Sequence, residues 1–220
     1  MTCLDQAIPR SSSVLSPQIY IPLVYGSVNL ATQHILRVNA IHAKIRGIDL
    51  KGQAYCANEP HLLRWVHLVE TISFLSAYQH LSLQPLSPSE CDRYIVEMSK
   101  VGEMLGAGNL PVTFSDARHA MSQYEPELVF DQRTRETLQS IESYSVDFTE
   151  KPFFALILSA SFDIVPNWLL AKLERKSDTC LHINARRLAL QIASKPVQWM
   201  LDEQGVSAVA KQRVKDLNLL

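Results

Sequence analysis

Two histidines occupy helical positions where the surrounding pattern asks for leucine or valine. In RVNAIHAKIRG, residues 37–47, the side chains Ile35, Val38, Ile41 and Ile45 recur at helical spacing, and His42 lies on the edge of that stripe. An imidazole drawn out of water there costs about a few kcal/mol unless its nitrogens find partners. It therefore either hydrogen-bonds inside a core or coordinates a metal. His67 poses the same question in the next helical segment, one turn after Leu63 and three residues before Glu70, whose carboxylate could accept its N–H. That pair could fix helix packing, orient a ligand, or act as a cofactor-free acid and base. His34 precedes His42 by eight residues, about 12 Å along a helix, so the two cannot chelate one ion.

Other chemistries lack their residues. H-x-x-x-H, H-E-x-x-H and C-x-x-C spacings are absent, which argues against a zinc site built from adjacent ligands. VGEMLGAG has glycines but follows a helix rather than a strand, and G-x-S-x-G does not occur. The 21 basic and 22 acidic residues nearly cancel, with no long run of one sign, so nucleic acid is not an expected partner. Cysteines at positions 3, 56, 91 and 180 are scattered, and MTCLDQAIPR has neither a basic nor an apolar leader region. Reduced thiols and a cytoplasmic location are expected. The longest apolar run, Phe153 to Phe162, falls short of the roughly 20 residues that span a bilayer and reads as a buried helix.

The elements that must position these histidines are helices. Glycine is scarce, at 7 residues in 220, alternating patterns are nearly absent, and 47% hydrophobic content is ample for a core. The expectation is an all-α fold of about eight or nine helices in one compact domain over residues 1–207, with an amphipathic tail over 208–220. LSPQIYIPLVYG reads as a first helix, and a second runs from Asn29 to Arg46 and stops at Gly47. GIDLKGQAYCA reads as a loop with a turn at Lys51 and Gly52. Asn58 then caps a long helix carrying Leu63, His67, Glu70 and Phe74 on one face. Ser87, Pro88 and Glu90 form a capping box for another, which Gly106 and Gly108 stop. Thr113 or Ser115 and Asp131 cap two more, and three apolar helices follow, the last broken at Pro196.

Three ordered blocks carry a resemblance: a histidine followed closely by R-G; P-x-L-L-x-W-V-H over residues 60–67; and L-S-x-x-E-x-D-R-Y running into G-E-x-L-G over 86–106. Together they resemble the family of the rubber oxygenase (latex-clearing protein) catalytic domain and the ER-bound oxygenase of mycophenolic acid biosynthesis, most clearly over residues 21–140. The resemblance implies an all-α fold enclosing a b-type haem and an oxidoreductase reaction with dioxygen. It places His42 as the iron ligand and so as both metal-binding and cofactor-binding residue. Arg46 becomes a partner for a haem propionate or for a nearby carboxylate, and Asn39 a polar contact where the family often has arginine. His67, Glu70 and Trp65 become pocket or packing residues, and no catalytic side chain is assigned.

The family also usually has an arginine-rich helix before the Y-G-S turn, facing the other side of the haem. Here no lysine or arginine stands between Arg10 and Arg37. Two readings follow. The chain is an oxygenase-like oxidoreductase acting on an apolar small molecule, or a non-catalytic helical protein that keeps the scaffold and binds an apolar ligand or a protein partner. A visible haem spectrum separates them.

Overall fold

The computed structural model describes residues 26–49, 52–196, 205, 208, 209, 212, 215 and 216. The expected first helix, the segment beyond Pro196 and most of the tail lie outside them. The described residues contain eight α-helices and one small sheet, in the order α1 (Val28–His42), β1 (Arg46–Ile48), β2 (Ala54–Cys56), α2 (Pro60–Leu81), α3 (Pro88–Leu105), α4 (Phe114–Ser122), α5 (Gln132–Glu142), α6 (Lys151–Ser161), α7 (Asn167–Lys172) and α8 (Cys180–Ala193). The all-α expectation holds. Two compact units are formed, one from the described part of Met1–His67 with Val96–Leu110, the other from Leu68–Ile95 with Pro111–Pro196.

In the first unit α1 begins where Ser27 Oγ accepts the Leu30 N–H, and buries Ile35. It ends at His42, four residues short of the expected stop, because successive three-residue turns to Ile41 and His42 carbonyls take over. Ile41 and Ile45, expected in its apolar stripe, stay 46% and 41% exposed. The expected loop after it is a hairpin, with Arg46 opposite Cys56, Gly47 opposite Tyr55 and Ile48 opposite Ala54. Strands of three residues leave no alternation to read. The connection is held locally, by Asp49 Oδ1 accepting the Gln53 N–H at 2.7 Å and by Gly52 at φ 79°. A Cβ on Gly47 would stand 2.7 Å from the Tyr55 ring, so only glycine lets that ring lie across β1.

Asn58 does not cap α2: its amide donates to the Asn39 carbonyl instead. Glu59 stands ahead of Pro60, with its backbone carbonyl bonded by Leu63 and its carboxylate by the Cys56 N–H. Leu63 and His67 are buried as expected, whereas Phe74 is 52% exposed. At the start of α3 the Ser87 N–H donates to Glu90 and the Glu90 N–H to Ser87 Oγ, the reciprocal bonds of a capping box. At its end Gly106, at φ 99°, donates to Glu103 and Ala107 donates to Gly102, a Schellman closure. Between these ends α3 meets the His67 ring at Gly102. A Cβ there would lie 2.8 Å from the ring and closer still to Leu110 Cδ1.

In the second unit Thr113, Asp131 and Thr179 cap α4, α5 and α8 with their side chains. Leu68, Ile72, Leu75, Ala117, Met121 and Leu190 are among its buried residues. The apolar run that forms α6 is not a buried helix: Ala160 is its one buried residue, while Phe153 and Ile157 are 41% and 45% exposed. Its exposure follows from covering on one side, chiefly by α8. Asp163 is nearly buried, at 3% side-chain exposure, and is bonded twice by Arg186, which also reaches Asp178.

Gly102→Ala should cost about 2 kcal/mol, the scale of overpacking a filled site, read from urea midpoints. Arg186→Met should cost about 3 kcal/mol, because it leaves the buried Asp163 carboxylate without its cation. Burial holds His67 below its ordinary pKa of 6.5, so the folded chain keeps this ring neutral while the unfolded chain takes up a proton. Its contribution is complete above pH 6.5 and is lost as the pH falls toward the lowered folded value. The acid side of a stability–pH profile should therefore be shallower in His67→Gln than in the parent.

Candidate functional site

The end of α1 collects buried polar atoms that the fold does not pair. His42 is half-buried, and burial lowers its pKa, so the imidazole is neutral at pH 7. Its Nδ1 is buried with no hydrogen-bond partner. One turn earlier Asn39 donates through Nδ2 to the Met104 carbonyl at 3.2 Å, which orients the amide and leaves Oδ1 buried and unbonded. Asn58 donates through Nδ2 to the Asn39 carbonyl at 3.4 Å, and its Oδ1 is likewise unbonded. Cys56 Sγ meets the His42 carbonyl at 3.8 Å, closing the hairpin onto the same helix end.

A fourth atom belongs to Arg64 on α2, whose Nε is buried without a partner. Thus four of the five such atoms among the described residues fall between positions 39 and 64, and the fifth, His80 Nε2, lies in the other unit. Buried polar groups are nearly always bonded, so a concentration of exceptions marks polar capacity available to a ligand or water.

The expected site residues divide. His42 and Asn39 share one face of α1, and Asn58 is bonded to the Asn39 carbonyl. Arg46 is not on their helix: the turn over residues 43–45 places it in β1, exposed and without an ion pair among the described residues. His67 is buried against Gly102 and closes the approach of α2 to α3. Trp65 is half-buried on α2. Glu70 belongs to the other unit, where its charge, after burial, helps raise the Tyr94 phenol.

Asn58 and Arg64 were not anticipated as site residues. Asn58 stands where a helix cap is expected, and that reading hid it. Arg64 occupies the variable place in P-x-L-L-x-W-V-H, and only its desolvation distinguishes it.

Among the described residues no three His, Cys, Asp or Glu side chains gather as a metal cage. A metal held by His42 would have to bring most of its own donors, as haem iron does, the porphyrin supplying four nitrogens and the chain one imidazole. The neutral ring fits that demand through Nε2, since Nδ1 is covered by the protein. A separate cleft of about 940 Å³ in the second unit is lined by residues including Gln79, Cys91, Phe114, Arg118 and Trp168. None of the expected site residues borders it.

Among the described residues no helix is long and apolar enough to cross a membrane. No curated protein and no solved structure matches the chain. The family model described as ER-bound oxygenase mpaB/B'/Rubber oxygenase, catalytic domain, matches residues 17–194, a span that carries every helix from α1 to α8, and the chain belongs to that family.

Proposed function

We propose that this chain is an oxidoreductase that holds a b-type haem through His42 and acts with dioxygen on an apolar organic substrate. Membership of an oxygenase catalytic-domain family supports the reaction class. The observation that carries the site is the buried, unbonded Nδ1 of His42 in a ring that burial keeps neutral. Iron takes a neutral imidazole, and with Nδ1 covered by the protein and unbonded, Nε2 is the nitrogen free to ligate.

When bound, the haem supplies dioxygen binding and activation at iron. The chain's own part is to bind, orient and cover. Ile41 and Ile45 flank His42 and are 46% and 41% exposed, so an apolar body laid against this helix end would remove both from water. Asn39 offers an amide oxygen one turn from the ligating ring. Arg46 opens the hairpin that follows, and its solvated guanidinium can meet a propionate there. The same exposed isoleucines suit the rival reading, a scaffold that binds an apolar ligand without chemistry.

Purified protein supplied with haem should show a Soret band, and His42→Ala should lose it while keeping its helical circular dichroism. A protein that stays colourless after haem addition overturns the haem reading and leaves the binding scaffold.

A further inference from the structure

Arg64 is treated differently from the other arginines whose partners the structure defines. Arg135 pairs with Glu174, Arg175 with Glu142, and Arg186 with two carboxylates at once. Arg118 rests on the Phe114 ring. Arg64 forms no ion pair among the described residues, yet its Nε is buried. A guanidinium keeps its charge at any ordinary pH and has only donors to offer, so burying even one N–H of this half-buried side chain without an acceptor is unfavourable.

Its location narrows what could satisfy it. Asn58, just ahead of α2, is bonded to the Asn39 carbonyl, which ties the start of α2 to the last turns of α1. Leu63, next to Arg64, reaches the α3 end at Gly106, and Asn39 bonds the Met104 carbonyl on that same end. Arg64 belongs to the same unit as His42, Asn39 and Asn58, one residue after the leucine that reaches the α3 end. The two unbonded amide oxygens there answer donors; Arg64 asks for an anion.

We propose that Arg64 anchors a carboxylate of the ligand that fills this corner. A carboxylate matches the guanidinium in charge and shape, giving two parallel N–H···O bonds. The inference rests on reading the His42 corner as a ligand site, and it does not require that ligand to be haem. The acid group belongs either to the porphyrin edge or to an apolar acid bound as substrate.

Four probes distinguish the sources: haem against its dimethyl ester, and dodecanoate against dodecanol, each titrated into the full chain by calorimetry or fluorescence quenching. Wild-type protein should prefer the acid in at least one pair. Arg64→Gln should weaken that acid about tenfold or more and leave its neutral counterpart unchanged, with Arg64→Lys recovering part of the loss. An effect confined to haem assigns the carboxylate to the propionates, and one confined to dodecanoate assigns it to an apolar acid.

Equal weakening of acid and neutral probe, or no preference for either acid in wild type, overturns the proposal. The wild-type preference keeps the test decisive if Arg64→Gln does not fold, because its absence alone is enough to reject the anchor. Should haem fail to bind while dodecanoate depends on Arg64, the haem reading falls and the anchor stands. Haem bound through His42 with no Arg64 dependence in either pair gives the reverse.

Discussion

The approach of α2 to α3 at Gly102 is the constraint on which the first unit depends. No side chain fits at that position, since the His67 ring and Leu110 occupy the space a Cβ would need. The missing side chain lets a flat ring lie directly on the α3 backbone. Four residues on, Gly106 adopts a backbone conformation that other residues resist and closes the helix. Met104, caught between these two glycines, presents its carbonyl to the Asn39 amide. The Asn39 side chain, and with it the last turn of α1, is thus tied to the helix end that Gly106 closes.

Two groups of buried polar side chains are treated in opposite ways. Arg186 and Asp163 are withdrawn from water together, and each finds its bonds in the other, with Asp178 completing the guanidinium. The corner around His42 withdraws an imidazole nitrogen, two amide oxygens and a guanidinium nitrogen and bonds none of them. An unmet buried polar atom costs about 1–3 kcal/mol, and a whole domain is stable by only about 5–15 kcal/mol. A corner of this kind is not explained by what it contributes to folding.

Local rules were enough for much of the fold. The Ser87–Glu90 box, the Thr113 and Asp131 caps and the stop at Gly106 involve groups within a few residues of one another, so spacing alone reveals them. The hairpin was not legible, because three-residue strands have no period and their pairing is a property of two segments. Gly47 looked like a helix stop although it is the residue that accepts the Tyr55 ring across a strand pair. That misreading carried the helix past His42 and set Arg46 on the wrong element. His42 itself was legible as a polar residue in an apolar pattern. Arg64 was not, since an arginine's pairing depends on which carboxylates the tertiary fold brings near it.

His42 lies where two influences oppose each other. As the last residue of α1 it sits at the negative end of the helix dipole, which favours a protonated ring. Burial disfavours the charge, and burial prevails, since the pKa is lowered. The ring therefore brings a lone pair and no charge. The fixed positive charges nearest in sequence are Arg46, solvated on the adjoining hairpin, and Arg64 on α2 in the same unit, while Ile41 and Ile45 on either side of His42 stay exposed. An apolar body with an acidic edge is the chemical complement of that surface. Haem and a long-chain acid share this character, which is why the identity of the ligand has to be decided by esterifying the acid rather than by enlarging the apolar part.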